Sequence, residues 1–314
     1  MVEQFILFFA LILTGYICKR QGIITDGMDR SLNRFIISIS FPCLILHRMV
    51  NLNISDKAFA GFLMAVGICL GLFVVFAIYT FMYVKIRKFK DELRPIAEFA
   101  IISPNNGFMG FPVAVAFLGS LGLLYMVASN LALNLMFFTY GIILMKRGRN
   151  SEKKSFSMML LEFVKLLINP KISAAIIGLI LCYNHILLPS VVDEYISMIG
   201  AVSSPMALIF IGSTLYGSSF KTIIRKVKVM EISINKLIVI PLITLAIVYF
   251  IPIPNIIKAV LVIGNALPVA TTVPIFCELY DRDKNAAGEA LFMSTVISIV
   301  TIPLFLMLVD YLFL

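Results

Sequence analysis

Residues 104–112 read Pro104-Asn105-Asn106-Gly107-Phe108-Met109-Gly110-Phe111-Pro112. Two prolines bracket two amides and two glycines inside an apolar run that extends over roughly residues 95–118. Proline removes a helical hydrogen bond, and Gly and Asn are poor helix formers. A lone proline in a membrane helix would be a mere kink. This stretch combines two of them with side-chain amides that are costly against lipid. The spacing predicts an unwound crossover lining a cavity. About eight residues of the run precede Pro104, or roughly 12 Å of helix at 1.5 Å per residue, which sets the break near the middle of a bilayer.

The rest of the chain supplies the bilayer context. Of 314 residues 61% are apolar and 14% charged, against about 45–50% and about 25% in soluble domains. That composition excludes a soluble enzyme, a nucleic-acid binder and a disordered chain. The net charge of +9 is spread between apolar runs and gathers on no single face, so it carries topology and marks no nucleic-acid partner. Cys18, Cys43, Cys69, Cys182 and Cys277 lie in or beside apolar runs, without C-x-x-C pairs or spaced His, and read as small hydrophobes. The start, Met1-Val2-Glu3-Gln4, has no basic residue before the first apolar run, as expected of a retained helix.

Apolar windows of about 20 residues predict ten spans, at roughly 3–18, 32–50, 58–84, 95–118, 121–145, 170–188, 192–216, 229–250, 256–279 and 287–313. Residues 155–168, with Glu162 and Lys165, resemble an amphipathic helix at the interface. Of the 26 Lys and Arg residues, 22 belong to the odd-numbered connections and three to the even ones. The positive-inside rule then puts the odd connections in the cytoplasm and both termini outside a cell membrane.

Landmarks recur at one offset. Gly15 and Gly178 are 163 apart, as are Ser40-Phe41-Pro42 and Ser203-Ser204-Pro205; Pro104 and Pro268 differ by 164, and Pro112 and Pro274 by 162. Two five-helix halves follow, 1–150 and 151–314. Because five is odd, the second half enters the membrane from the opposite side, so the repeats are inverted. The expected fold is an all-α membrane protein with ten transmembrane helices and crossed broken helices four and nine. The ninth span carries the partner break, Asn265-Ala266-Leu267-Pro268-Val269-Ala270-Thr271-Thr272-Val273-Pro274.

Two crossed breaks bring four half-helix ends together. The N-termini expected after Pro112 and after Pro274 offer unpaired N–H groups and positive dipole ends, which suit a carboxylate without any Arg or Lys. Asn105, Asn106, Gly107, Asn265, Thr271 and Thr272 are the expected substrate-binding residues; Pro104, Gly110, Pro112, Pro268 and Pro274 form the crossovers. The expected activity is secondary transport of a small organic anion.

At these positions the sequence resembles the auxin efflux carrier family, which includes plant PIN-formed carriers and bacterial permeases for malonate and related dicarboxylates. Residues 104–112 look like its fourth-helix crossover, and Ala266 to Pro274 with Glu278-Leu279-Tyr280 like its ninth. Asn169-Pro170, Gly212 and Lys236 to Pro241 also fit. The resemblance implies a fold akin to bile-acid sodium symporters and bacterial sodium/proton antiporters. It further implies a dimerising scaffold of helices 1, 2, 6 and 7, which Ser40, Pro42, Ser204 and Pro205 would face, and a transport domain of helices 3–5 and 8–10 moving like an elevator. In the plant carriers an Asn of the fourth-helix crossover holds the substrate carboxylate, which by the motif is Asn105. The chain lacks the large hydrophilic central loop of plant members. The resemblance leaves the particular anion and the direction of transport open.

Ionisable groups inside spans are candidates for coupling. Lys236 would neutralise a second carboxylate, occupy a cation site, or snorkel to the interface. Glu98 would be a proton carrier or, more simply, pair with Arg94 at the interface; Glu278 would sit near Arg282, and Asp310 in solvent. No cofactor or metal is expected, and coupling to H+ or Na+ stays open. With His47 and His185 as the only histidines, and no H-E-x-x-H, G-x-S-x-G or G-x-G-D, a membrane-embedded enzyme lacks its parts. An anion channel, or a sodium- or proton-coupled symporter of the bile-acid type, is the alternative, since broken helices also build selectivity filters.

Overall fold

The computed structural model describes residues 2–51, 56–148, 170–184, 186–216 and 223–314. The interfacial segment predicted at 155–168, and His185, lie outside them. Among the described residues the regular elements are helical: α1 Val2–Arg20, α2 Asp26–Phe35, α3 Phe41–Val50, α4 Asp56–Ile86, α5 Arg94–Ile102, α6 Phe111–Met136, α7 Ile142–Lys146, α8 Pro170–Tyr183, α9 Ser190–Ala201, α10 Ser203–Thr214, α11 Val227–Ile234, α12 Ile240–Phe250, α13 Asn255–Ala266, α14 Thr272–Leu279 and α15 Lys284–Phe313. Five stretches are long and apolar enough to cross a bilayer: Phe59–Ile86, Asn106–Lys146, Ser190–Thr214, Val227–Phe250 and Lys284–Phe313. Pro170–Tyr183 and Asn255–Ala266 are shorter apolar helices. Along α4, Leu63, Met64, Leu70, Val74, Val75, Ile78 and Met82 are exposed among the described residues, an apolar surface of the kind that lipid covers. The chain is an all-helical, multi-pass membrane protein.

Four π-helical turns interrupt these helices among the described residues. Three stand at one fixed distance ahead of a proline: Ile36–Ser40 before Phe41-Pro42, Asn106–Gly110 before Phe111-Pro112, and Asn235–Val239 before Ile240-Pro241. A proline clashes with the carbonyl four residues back and cannot donate to it. One widened turn re-registers the bonding and lets the helix continue. Gly119 interrupts α6 differently, with φ 66 and ψ −160, a region open essentially to glycine alone. It lies between the fourth and fifth predicted spans.

The chain forms two compact units. The first comprises Met1–Phe62, Gly107–Val127 and Val164–Gly217. Here α1 packs on α10, and α3 on α8 and α9. The α1–α10 crossing is very close: a Cβ on Gly15 would lie 1.9 Å from the Ile209 carbonyl oxygen, and one on Gly212 1.8 Å from that of Ile12. A Cβ on Gly178 in α8 would meet the Met49 Cβ at 2.6 Å and the Leu46 carbonyl oxygen at 3.4 Å. The pairs Gly15 with Ile209 and Gly178 with Leu46 both relate by 163 residues. Small residues at such crossings let backbones meet where no hydrophobic effect drives helices together. Ser40 Oγ donates to the Ile199 carbonyl at 2.9 Å; Pro42 and Ser204 are half-buried and Pro205 is exposed.

The second unit comprises Leu63–Asn106, Ala128–Phe163 and Ser218–Leu314. Its centre is the two short helices α5 and α13: Pro95 to Ile102 and Ala259 to Ala266 are all buried. The long α15 packs on both, α11 and α14 cover α5, and α12 covers α13. Helices apolar on every face belong at a core. Apart from Glu98, midway along α5, the polar groups of these two stand at or near their ends.

Candidate functional site

Helix α5 stops at Ile102 because Ser103 turns extended, with φ −105 and ψ 92, ahead of Pro104. Helix α13 stops in the same way at Ala266, where Leu267 precedes Pro268 with φ −69 and ψ 153. The two extended segments then pair. Asn105 N–H donates to the Pro268 carbonyl at 2.9 Å and Ala270 N–H to the Ser103 carbonyl at 2.8 Å, around an antiparallel bridge of Pro104 with Val269. Each break thus satisfies backbone groups that the other lost with its helix, as burial away from water requires. Val269 N–H is taken up by Ser294 Oγ at 3.1 Å.

The polar side chains here are buried. Asn105 is 4% exposed, and Ser103 and Asn106 are fully covered. Asn106 Nδ2 donates to Ser129 Oγ at 3.1 Å. Asn106 Oδ1 and Ser103 Oγ are buried without a hydrogen-bond partner, a state that costs about 1–3 kcal/mol per group. Asn265 directs its Nδ2 into its own helix, to the Leu261 carbonyl at 3.0 Å. Thr271 and Thr272 are half-buried at the start of α14, without a side-chain partner among the described residues.

The helices resume earlier than the prolines suggested. The π-helical turn holding Gly107 and Gly110 begins at Asn106, and α14 begins at Thr272, so Pro112 and Pro274 lie inside helix and do not precede it. The widened turn absorbs Pro112, and Pro274 stands in the first turn, where its missing N–H has no intrahelical partner to lose.

Lys236 lies in the π-helical turn before Pro241 and is completely buried, its Nζ donating to the Asn265 carbonyl at 2.9 Å. This excludes the snorkelling geometry. Its Nζ stands by the carbonyl end of α13, where the helix dipole is negative. Glu98 corrects a second expectation. It too is fully buried, but its partner is Arg147 at 2.6 Å, with Tyr140 donating at 3.3 Å. Arg94 turns back to Asp91 at 2.6 Å and to the Phe89 carbonyl at 2.9 Å. Glu278 pairs with Lys284 at 2.9 Å, while Arg282 donates to the carbonyls of Met145 and Arg147. Asp310 is exposed.

Ser103, Ser129 and Ser294 are site residues that the sequence reasoning passed over. Ser103 directly precedes the first crossover proline. Ser129 opens a polar stripe with Asn130 and Asn134, whose amides bond at 3.2 Å; that i, i+4 spacing inside an apolar span was the available signal.

The family model described as membrane transport protein matches residues 1–306. The chain belongs to this family, that of the auxin efflux carriers. A protein named uncharacterized transporter from Methanothermobacter thermautotrophicus is 24% identical over 298 residues, covering 94% of this chain and 93% of its own. A transporter of the same designation from Methanocaldococcus jannaschii is 26% identical over 305 residues, covering 94% of each. The lysosomal cholesterol signaling protein of Mus musculus is 26% identical over 315 residues, covering 92% of this chain and 35% of that protein. A family of membrane transporters agrees with the multi-pass helical chain.

Proposed function

We propose that this membrane transporter is a secondary carrier of a small organic anion. Its carboxylate is held at the crossover by Asn105, Asn106, Gly107, Thr271 and Thr272 and by the backbone N–H groups that open the following half-helices. The observation carrying this reading is the paired break itself, with Ser103 Oγ and Asn106 Oδ1 buried and unpartnered beside it. Ser103 Oγ can donate to the carboxylate, and Asn106 Oδ1, an acceptor, is met by a hydroxyl or a protonated carboxyl of the same ligand, which relieves the cost of leaving both unsatisfied inside an apolar unit. Lys236, fixed by the carbonyl of Asn265, adds a buried nitrogen donor to the neighbourhood, which suits an anion.

In this reading ten spans form two inverted repeats, both termini are extracytoplasmic, and alternating access is of the elevator type. Spans 1, 2, 6 and 7 form the dimerising scaffold, and spans 3–5 and 8–10 the moving part. The 163-residue relation between the Gly15 and Gly178 crossings supports the repeat. So does the two-way exchange of hydrogen bonds between the breaks. Asn265, whose amide is engaged inside its helix, acts through its carbonyl and Lys236.

The test is uptake of labelled mono- and dicarboxylates into vesicles containing the purified protein, with and without sodium and at two pH values. Wild type takes up at least one anion saturably, with acceleration by the same anion on the far side. Asn105→Ala lowers that uptake at least tenfold while melting as wild type does. Unchanged uptake and affinity for every transported anion in Asn105→Ala would overturn the site; linear, unsaturable flux would make the protein a channel.

A further inference from the structure

Away from the crossover, the second unit holds a cavity of about 400 Å³ whose lining includes Phe81, Lys85, Asp91, Arg94, Glu98 and Arg147. Three cationic side chains reach it from three places: the end of α4, the start of α5 and the residue after α7. Two are already committed, Arg94 to Asp91 and Arg147 to the buried Glu98, each at 2.6 Å. Lys85 has no ion pair among the described residues, so three cations and two carboxylates leave the cavity lining with one uncompensated positive charge. The other wall is apolar. Phe81 belongs to the α4 face of exposed apolar residues, Val84 is buried behind it, and the Arg147 guanidinium lies 5.6 Å from the centre of the Phe81 ring.

A ligand matching both walls has an anionic head and an apolar body. The cavity stands at the end of a membrane-spanning helix, beside Arg87, Lys88 and Lys90 of a connection that positive-inside counting assigns to the cytoplasm. Basic pockets between membrane helices on that side suit lipid phosphates. We propose that this cavity binds one anionic phospholipid, its headgroup phosphate held by Lys85, Arg94 and Arg147 and its acyl chain lying along Phe81 and the α4 face. Glu98 serves here as the buried counter-charge that keeps Arg147 pointed inward. The inference rests on the membrane location and on the proposed cytoplasmic side of this connection; failure of the crossover site would leave it standing, and its own failure would leave the transport reading untouched.

The experiment uses the purified, delipidated full chain in neutral detergent. It is titrated with soluble dihexanoyl phosphatidylglycerol, dihexanoyl phosphatidylcholine and inorganic phosphate, with native mass spectrometry and thermal shift as readouts. Phosphatidylglycerol should bind at one molecule per chain, raise the melting temperature and outcompete phosphatidylcholine. Lys85→Gln should weaken it about fivefold, the factor for one cation near an anionic headgroup, and Lys85→Arg should restore it. Lys90→Gln, in the same connection but outside the cavity lining, should leave it unchanged. Melting of Lys85→Gln in phosphatidylcholine alone should equal wild type, which separates lost binding from lost folding. Equal binding of the two lipids, or equal weakening by Lys85→Gln and Lys90→Gln, would overturn the site. Inorganic phosphate binding as tightly as phosphatidylglycerol and displacing it would overturn the lipid as occupant.

Discussion

Replacing Gly15 by alanine tests the tightest packing in the first unit. The added methyl group would stand 1.9 Å from the Ile209 carbonyl oxygen, with the Ile209 carbonyl carbon at 2.7 Å and Cα at 2.9 Å. These are backbone atoms, so no rotamer change makes room. Ordinary contact begins at 3.4 Å, and α1 and α10 must part by about 1.5 Å at that point. A gap of about 0.5–1 Å already forfeits a quarter to a half of the dispersion well between facing atoms. In a membrane, dispersion is much of what holds two helices together, so the cost falls at or above the upper end of overpacking, about 3 kcal/mol. Thermal unfolding in detergent should show a melting temperature lower by about 5 °C or more. The control is Gly71→Ala in α4, where nothing lies within 4 Å of the added atom and better helix propensity is worth up to about 1 kcal/mol. If Gly15→Ala and Gly71→Ala melt together, the close crossing of α1 and α10 is wrong.

Gly119→Ala should destabilise by about 1–3 kcal/mol although no neighbour obstructs the methyl group, because the strain lies in the backbone at φ 66; a loss no larger than that of Gly67→Ala would refute this. Arg147→Met strands a fully buried carboxylate and should cost about 3–5 kcal/mol, while the double change with Glu98→Gln should recover much of it in the same melting assay; additive losses would show that the two groups do not interact. Asn106→Ala removes both the bond to Ser129 and the unpartnered oxygen. It should lower anion uptake at least tenfold with little change in melting, and unaltered uptake would clear it of any role. Lys236→Met leaves the Asn265 carbonyl without its donor, costing about 1–3 kcal/mol, and should abolish uptake; transport at the wild-type rate would make the lysine purely structural.

How far the sequence reaches is set by the range of each signal. The helical class and the two breaks are local: apolar length and the prolines at 104 and 268 decide them, and the extended residues before both prolines are where steric restriction puts them. The lengths of the breaks were not legible, since a proline pair reads as one long interruption until the π-helical turn ahead of Pro112 shows how the chain absorbs it. The same three-part pattern, widened turn, one residue, proline, recurs at Pro42 and Pro241. It could have been looked for wherever a proline stands well inside an apolar run. Partner choice is where local reasoning fails. Arg94 is four residues from Glu98, the natural helical spacing for an ion pair, yet Glu98 closes with Arg147, 49 residues away. Arg94 stands in the first turn of α5, beside a connection whose Asp91 and Phe89 carbonyl satisfy it at less desolvation than a buried carboxylate demands. Glu98 points into the unit, and a cation entering from the end of another helix follows it there. A buried carboxylate in a membrane helix therefore says that a partner exists, and the chain's topology alone says which.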